Sequence, residues 1–306
     1  MSRRRFRDAV QSASVAAAVL VAGSAADGGG PAGRTADHAP RAAASVSSVP
    51  SVSAAGAAPA PASTSEEPTV DLDAALATAV EPLLAGAGEA EVSVAVLDTG
   101  SRARAVYGDG AYDTASIVKV GILAALLLGA QDEKRALTAD ERARAAAMIE
   151  RSDNASATAL LRAIGGAEAL DAAHGRLGLT ATAAAHAWGL TRTTAADQLA
   201  LLEAVFGTES ELSEESRTYL RGLMGRVVAD QQWGVSAAGS SWALKNGWMP
   251  RTTTGLWDIN SIGQVTADGR SYLVAVLSGG QPTKEAGIAL VESVARAAVG
   301  VLDAAR

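Results

Sequence analysis

One segment of the chain, residues 117–128, is apolar on nearly every face that a helix would have, and Lys119 is its only charged residue. A helix without a polar face has no side to turn toward water, so other elements must cover it all round. The segment therefore predicts a helix at the centre of a domain, with a lysine buried near its start. An apolar fraction of 48% can supply the large core that such a helix needs.

The N-terminal part of the chain has the order of an export signal. A basic stretch at residues 3–7 precedes an apolar stretch at 13–22 and then small residues. The apolar stretch is too short to span a bilayer. We predict a signal peptide over 1–26, in which Ser2-Arg3-Arg4-Arg5-Phe6 resembles a twin-arginine export motif. An uncleaved basic tail is the alternative, and on the first interpretation the protein is expected to be secreted or extracytoplasmic.

A change in composition separates this segment from the rest of the chain. Residues 27–68 are rich in Ala, Ser, Pro and Gly and contain few large apolar side chains. Such a segment cannot bury enough surface to offset the entropy of ordering it, which predicts a disordered linker. The folded domain is therefore predicted over 69–306.

Composition also excludes several classes of function. The chain has no cysteine, which excludes disulfides, thiolate catalysis and zinc–cysteine or iron–sulfur sites. It has only three histidines, so no metal or other cofactor is expected. A net charge of −7 makes it a poor general binder of nucleic acid, since phosphate contacts need basic patches. We expect a monomer with no stable membrane span after signal cleavage.

Hydrophobic periodicity predicts an α/β protein of two lobes. Helical patterns open and close the domain, strand patterns follow the first helix and precede the last, and a helical block lies between. The strands can join one antiparallel five-stranded sheet flanked by the N- and C-terminal helices, and the block becomes an all-helical lobe. Predicted strands cover 91–97, 102–107, 241–248, 255–265 and 272–277. Within the helical block, Thr138-x-x-Glu141 predicts a capping box at the start of one helix, and Gly165-Gly166 predicts the end of the helix 154–164. A cleft between the lobes is where a site is expected.

Ser116-Ile117-Val118-Lys119 is the first motif that can carry chemistry. A serine and a lysine three residues apart lie on one face of a helix, one turn apart. A serine hydroxyl needs a base within hydrogen-bond reach, and a lysine can serve if burial lowers its pKa. At a helix start, the backbone N–H of Ser116 can also face a developing oxyanion. The alternative is an ordinary helix start with an exposed lysine.

Two further motifs follow in the chain. Ser152-Asp153-Asn154 precedes a predicted helix and by itself is an N-cap cluster. Lys245-Asn246-Gly247 lies on a predicted strand, where the lysine suits a substrate carboxylate and the glycine lets a substrate backbone approach.

The three motifs together resemble the Ser-x-x-Lys, Ser-Asp-Asn and Lys-Thr-Gly set of class A β-lactamases and penicillin-binding proteins. Residues 148–161 and 164–166 are also similar to the class A segment around the second motif. The resemblance implies the β-lactamase/transpeptidase fold and an active-site-serine hydrolase that works through an acyl-enzyme.

The resemblance also implies a role for each matching residue. Ser116 would be the acylated nucleophile, Lys119 its base, and Ser152 the proton shuttle to the leaving nitrogen. Asn154 would bind the substrate amide, and Lys245 the substrate carboxylate while supporting Ser152. The backbone N–H groups of Ser116 and Trp248 would form the oxyanion hole. The substrate-binding positions implied in this way are Asn154, Lys245, Asn246, Gly247 and Trp248.

The chain departs from the family pattern in three places. Asn246 replaces a threonine or serine, although its amide can still donate to a carboxylate. Residues 178–192 contain no carboxylate, whereas class A enzymes carry a deacylating glutamate on the corresponding loop; His186 and Glu150 are substitute candidates. Only 36 positions separate Ser116 from Ser152, which predicts a lost helix or loop. Arg251, just after the third motif, is a further candidate for an anionic substrate group.

Three functions fit these observations. The first is a β-lactamase-like hydrolase of β-lactam, peptide or ester acyl groups with slow deacylation. The second is a D,D-peptidase or transpeptidase-like cell-wall protein that penicillins trap. The third is a non-catalytic secreted binding protein on the same scaffold. Retention of Ser116, Lys119, Ser152, Asn154 and Lys245 argues against the third, because a scaffold without chemistry has no need for a buried serine–lysine pair.

Overall fold

The computed structural model describes residues 70–305, so the predicted signal peptide and linker lie outside the described residues. The helices are α1 (Leu72–Leu84), α2 (Val118–Asp132), α3 (Ala139–Glu150), α4 (Asn154–Ile164), α5 (Ala167–Arg176), α6 (Ala195–Phe206), α7 (Glu214–Met224) and α8 (Lys284–Ala304). The strands are β1 (Glu91–Asp98), β2 (Arg104–Tyr107), β3 (Tyr112–Asp113), β4 (Arg192–Thr193), β5 (Ser241–Pro250), β6 (Trp257–Ala267) and β7 (Arg270–Gln281).

Five strands form one antiparallel sheet in the order β2-β1-β7-β6-β5. The central strands β1 and β7 pair in the register Ala95↔Ala275, and β5 pairs with β6 in the register Asn246↔Ser261. Side chains of α1 and α8 such as Leu76, Val80 and Val294 pack against one face of the sheet. The helical lobe, α2 to α7, lies toward the other face. The predicted fold class is therefore confirmed, and β5 is the edge strand that faces the lobe.

Helix α2 is the centre of the helical lobe. All of its residues from Val118 to Leu128 are buried, including Lys119, as the absence of a polar face predicts. By length and composition the window Ala115–Asp132 could span a bilayer, but 78% of it is buried inside the protein. This burial is that of a core helix in a folded domain.

Capping residues determine where the helices after α2 begin and end. Thr138 and Glu141 form the predicted capping box of α3, with backbone-to-side-chain bonds of 3.2 and 2.7 Å. Asp153 caps α4 by accepting from the backbone of Ser156 at 2.6 Å, and α4 ends at Gly165 with a φ of +106°. Only α2 and α3 lie between the first two motifs, which accounts for their short separation.

A small two-stranded ribbon, which the periodicity did not predict, ties the site together. Strand β3 pairs with β4 in the register Tyr112↔Thr193 and Asp113↔Arg192. The ribbon joins the chain just before Ser116 to the end of the loop 178–191. That loop is thereby held beside the first motif.

Candidate active site

Ser116 lies in a tight turn at the mouth of the helical lobe. The turn is a 3₁₀ segment, Ala115–Ile117, immediately before α2, rather than the first turn of the α-helix that the motif predicts. The difference arises because Ala115 has a φ of +46° and Ile117 donates to the Thr114 carbonyl at 3.2 Å. The turn leaves the Ser116 side chain half-buried at the start of α2.

Lys119 is fully buried one turn further along and is surrounded by oxygens. Its Nζ lies 3.0 Å from Ser116 Oγ, 2.7 Å from the Ser152 carbonyl oxygen, 3.1 Å from Ser152 Oγ and 2.8 Å from Asn154 Oδ1. Burial lowers the pKa of Lys119 to about 7, and the charge of Asp153 opposes the shift. At neutral pH, about half of the molecules therefore carry the free amine.

Two acceptors define what the Lys119 amine can do. The Ser152 carbonyl oxygen and Asn154 Oδ1 can only accept hydrogen bonds, so each takes an N–H from Lys119. A neutral amine has two N–H groups, and both are used in this way. Its lone pair then remains to accept a proton from one of two hydroxyls, Ser116 at 3.0 Å or Ser152 at 3.1 Å. When it accepts from Ser116, the arrangement is that of a general base.

The Ser152 hydroxyl lies between two lysines. Its Oγ is 3.1 Å from Lys119 Nζ and 3.1 Å from Lys245 Nζ. The backbone of Ser152 has a φ of +57°, an unfavourable value for a residue with a side chain. This conformation lets the carbonyl and the hydroxyl of one residue both contact Lys119. A hydroxyl bridging two amines can pass a proton between them or to a third group.

Lys245 projects from the edge strand β5 into the same cluster. It is fully buried, and its Nζ also lies 2.9 Å from the Asn246 carbonyl oxygen. Burial, and then the neighbouring Lys119, hold the pKa of Lys245 well below its usual value. The Lys245 side chain has no exposed surface, and within the cluster it contacts the Ser152 hydroxyl.

Asn246 does not have the geometry expected of a substrate ligand. It is 1% exposed, and its Nδ2 donates to the carbonyls of Gln231 and Trp233 at 2.8 and 2.9 Å. Successive residues of a strand point to opposite faces, so Asn246 points away from the face that carries Lys245. The expected bond to a substrate carboxylate is therefore replaced by an anchor between β5 and the preceding turns.

Gly247 makes room for the nucleophile turn. A Cβ at this position would lie 2.7 Å from the Thr114 carbonyl oxygen and 2.8 Å from the Ser116 backbone nitrogen. The space beside the glycine is thus filled by that turn, and the approach of a substrate backbone to β5 stays a prediction. The glycine lets β5 lie directly against Ser116.

The remaining expected residues border the cluster. Asn154 is exposed at the start of α4, with Oδ1 on Lys119. The Trp248 ring lies on the α8 side, 5.9 Å from the Trp233 ring and 4.2 Å from Lys284 Nζ. Only the backbone of Trp248, next to Gly247 on an edge strand, is placed to approach Ser116. An edge strand leaves backbone N–H groups unpaired, as an oxyanion hole needs.

The three further candidate residues, Arg251, Glu150 and His186, make no hydrogen bond or ion pair with the cluster around Lys119. Arg251 forms ion pairs of 2.6 Å with Asp113 and with Asp258, which replaces the expected contact with a substrate anion. Glu150 pairs with Arg226 at 2.9 Å, and His186 is exposed on the loop. Among residues 70–305, no group of three or more His, Cys, Asp or Glu side chains could hold a metal ion.

Sequence reasoning missed one aromatic side chain of the site. The Trp188 ring lies 4.7 Å from Lys119 Nζ, and its Nε1 donates to Thr158 Oγ1 at 3.2 Å. The signal was the single tryptophan of the loop 178–191. Its proximity to Lys119 follows from the ribbon of β3 and β4, which no local pattern indicates.

Comparisons with solved structures show the same fold in known proteins. A class A beta-lactamase from Bacteroides cellulosilyticus DSM 14838 superposes with a TM-score of 0.67 at 17% identity, covering 76% of this chain and 99% of that chain. A beta-lactamase from Xanthomonas campestris pv. campestris gives 0.64 at 20% identity, with 76% and 98% covered. A mutant of PBP-A, solved as an acyl-enzyme complex with penicillin G, gives 0.64 at 21%, with 75% and 96% covered. These identities establish the fold alone.

A comparison of the sequence with family models identifies the family as well as the fold. No curated protein matches the chain significantly. The model of the beta-lactamase enzyme family matches residues 142–302, which include the second and third motifs and span more than half of the chain. The chain therefore belongs to the beta-lactamase enzyme family.

Proposed function

We propose that the protein is an active-site-serine hydrolase that a β-lactam or a related amide or ester acylates at Ser116. The observation that carries the proposal is the 3.0 Å separation between Lys119 Nζ and Ser116 Oγ, combined with a lysine pKa near 7. A nucleophile and a base within hydrogen-bond reach, with the base oriented by other groups, are the features of an activated serine.

Acylation would use each member of the cluster once. The Lys119 amine accepts the Ser116 proton while Oγ adds to the substrate carbonyl carbon. The backbone N–H groups of Ser116 and Trp248 would stabilise the oxyanion. Collapse of the intermediate breaks the carbon–nitrogen bond, and Ser152 gives its proton to the leaving nitrogen. Ser152 then recovers the proton that Lys119 took from Ser116, directly or by relay through Lys245, which returns the site to its starting protonation.

Hydrolysis of the acyl-enzyme is proposed to be slow. The loop 178–191, which lies beside Ser116, has no carboxylate to activate a water. Glu150 is paired with Arg226, and Asp153 caps α4 by accepting from the Ser156 backbone. General-base activation contributes about 10²–10⁴-fold to a rate, so its absence prolongs the acyl-enzyme by that order.

The absence of a carboxylate on the loop 178–191 also favours a second candidate, a penicillin-binding D,D-peptidase or transpeptidase-like cell-wall protein. A long-lived acyl-enzyme can transfer its acyl group to an amine instead of water. The fold shared with PBP-A, solved as an acyl-enzyme with penicillin G, supports this alternative. The two candidates differ only in the acceptor, since both form the ester at Ser116.

Intact-mass spectrometry with benzylpenicillin, together with hydrolysis of a chromogenic cephalosporin, tests the proposal. We expect a stoichiometric adduct that persists for many minutes in the wild type and is absent in Ser116→Ala. Rapid turnover without an adduct would indicate an efficient β-lactamase. Failure of the wild type to acylate or to turn over substrate would leave the non-catalytic binding protein as the remaining hypothesis.

Export is a separate proposal that rests on residues 1–26. Fractionation of cells that express the full chain should place the shortened protein outside the cytoplasm. Arg4→Lys together with Arg5→Lys should block that transfer if the twin-arginine route is used.

A further inference from the structure

The Trp188 ring packs over the amine of Lys119, whose hydrogen-bond contacts are oxygens of Ser116, Ser152 and Asn154. The ring lies 4.7 Å from Nζ, while Ser152 and Asn154 take the two N–H groups. We propose that Trp188 shields Lys119 from water, so that the lysine can activate Ser116 but cannot activate a water that would hydrolyse the acyl-enzyme. The proposal rests on the function proposed above and gives its slow deacylation a second cause beside the missing carboxylate.

The loop holds Trp188 firmly in this position. The indole Nε1 donates to Thr158 Oγ1 on α4 at 3.2 Å. The Trp188 carbonyl accepts from Thr191 N at 3.1 Å and from Thr114 Oγ1 at 3.4 Å. The adjacent Gly189 packs on the nucleophile turn, since a Cβ there would lie 3.9 Å from Ala115 Cα. The ring is therefore fixed to the helical lobe and to the turn that carries Ser116.

The chemistry of deacylation explains why a shield here matters. Once Oγ is esterified, the Lys119 lone pair no longer has the Ser116 proton to accept. A water beside the amine could then give it a proton while the water oxygen adds to the acyl carbonyl carbon. The carbon–Oγ bond would break, and Oγ would take the proton back from Lys119. A ring packed against Nζ occupies space that such a water would need.

The ring has two opposing effects on the Lys119 pKa, and their balance predicts how a substitution of Trp188 changes that pKa. The π face stabilises the ammonium form of the lysine. Exclusion of water destabilises that form, and burial is the largest cause of the low Lys119 pKa. Removal of the ring should therefore raise the Lys119 pKa. The charged groups that act on this amine, Asp153 and Lys245, are unchanged by the substitution.

The test compares Trp188→Ala with Trp188→Phe, Thr158→Val and Trp242→Ala in the full chain. Trp242 is a partly buried tryptophan on the other side of the sheet and serves as the matched control. One readout is the Lys119 titration midpoint, from NMR of ¹³C-labelled lysine. The other is the rate at which the benzylpenicillin adduct disappears, from intact mass.

We expect Trp188→Ala to raise the midpoint by at least about one pH unit and to speed adduct loss by at least about tenfold. Trp188→Phe should stay near wild type, because it keeps the ring, and Thr158→Val, which only releases the indole, should lie between. Equal midpoints and equal adduct lifetimes in Trp188→Ala and Trp242→Ala would overturn the proposal. If the wild type forms no adduct, the proposed function fails, but the titration midpoint still decides whether Trp188 shields Lys119.

Discussion

Lys119 and Lys245 place their Nζ atoms at the same distance, 3.1 Å, from the Ser152 hydroxyl. Both amines are fully buried. Two ammonium groups so close together repel each other, and each is costly to bury. The cluster is therefore stable when at least one amine is neutral, and a neutral amine is also what the activation of Ser116 requires.

The acylation rate should follow the titration of Lys119. Since only the free amine can accept the Ser116 proton, the rate of benzylpenicillin acylation should rise with pH through about 7 and then level off. Lys119→Arg cannot lose its proton in this range and should lower the rate about 10²–10⁴-fold. Lys134→Arg, at an exposed lysine, is the control. A wild-type rate independent of pH between about 5 and 9 would contradict a lysine base.

Lys245→Met should separate stability from activity. Replacement of a buried charge by an apolar side chain of similar length is commonly neutral or stabilising by about 1–4 kcal/mol. Loss of the contact to Ser152 should nevertheless slow acylation at least about tenfold. Urea unfolding and adduct formation measure the two effects.

The pH dependence of the free energy of unfolding of the same variant tests whether Lys245 has a lowered pKa. A lysine with a lowered folded pKa binds its proton more weakly in the native state, so the unfolded state holds more protons between that value and the ordinary lysine pKa. Wild-type stability should therefore rise with pH across this window, and the rise should be shallower in Lys245→Met. Parallel curves for the two proteins would show that Lys245 is not shifted.

Gly247→Ala should damage the nucleophile turn. The new Cβ would meet the backbone of Thr114 and Ser116 at 2.7 and 2.8 Å, and backbone cannot swing aside. Overpacking of this kind costs about 1–3 kcal/mol, and the displaced turn should also lose acylation. Gly300→Ala, in α8 with nothing within 4 Å of the added Cβ, should instead stabilise by about 0.5–1 kcal/mol. Equal effects at the two sites would mean that β5 does not press on the turn.

Asn246→Thr should not restore the family's third motif. A threonine has one donor, whereas Asn246 donates to both the Gln231 and Trp233 carbonyls. At least one buried carbonyl would lose its partner, at a cost of about 1–3 kcal/mol in unfolding free energy. We expect a less stable protein with no gain in acylation rate. Faster acylation by a penicillin would instead show that position 246 reaches the substrate.

Arg251→Met should destabilise the site in a pH-dependent way. Arg251 pairs with the buried Asp113 and Asp258, and burial already raises the pKa of Asp258. Without the arginine that pKa should rise further. The native state then holds a proton that the unfolded state releases, so stability should fall as pH rises from about 4 to 7.

The loss of unfolding free energy in Arg251→Met can be compared with the loss caused by breaking an ion pair on the surface. Loss of one partner from a buried pair costs about 3–5 kcal/mol, and the partial exposure of Arg251 places the expected value near the lower end. Arg296→Met, which breaks a surface pair with Glu292, should change stability by less than about 1 kcal/mol. Similar losses in both variants would show that the Asp113–Arg251–Asp258 network is unimportant.

Much of the fold follows from local sequence. The absence of a polar face on 117–128 required a central helix, and α2 is that helix. The capping box at Thr138 and Glu141 and the glycine end of α4 were also readable, because caps depend on residues close in the chain. The spacing of Ser116 and Lys119 brought them together for the same reason, since one helical turn connects them.

Other relationships were decided by tertiary structure alone. Whether Asn246 and Gly247 face a substrate or the protein depends on what packs against each face of β5, and no strand pattern specifies that neighbour. Trp188 reaches Lys119 only because a ribbon between distant segments positions its loop. The low pKa of Lys119 arises from burial by several elements at once. Sequence determined which groups could react, and long-range packing determined their protonation and their access to water.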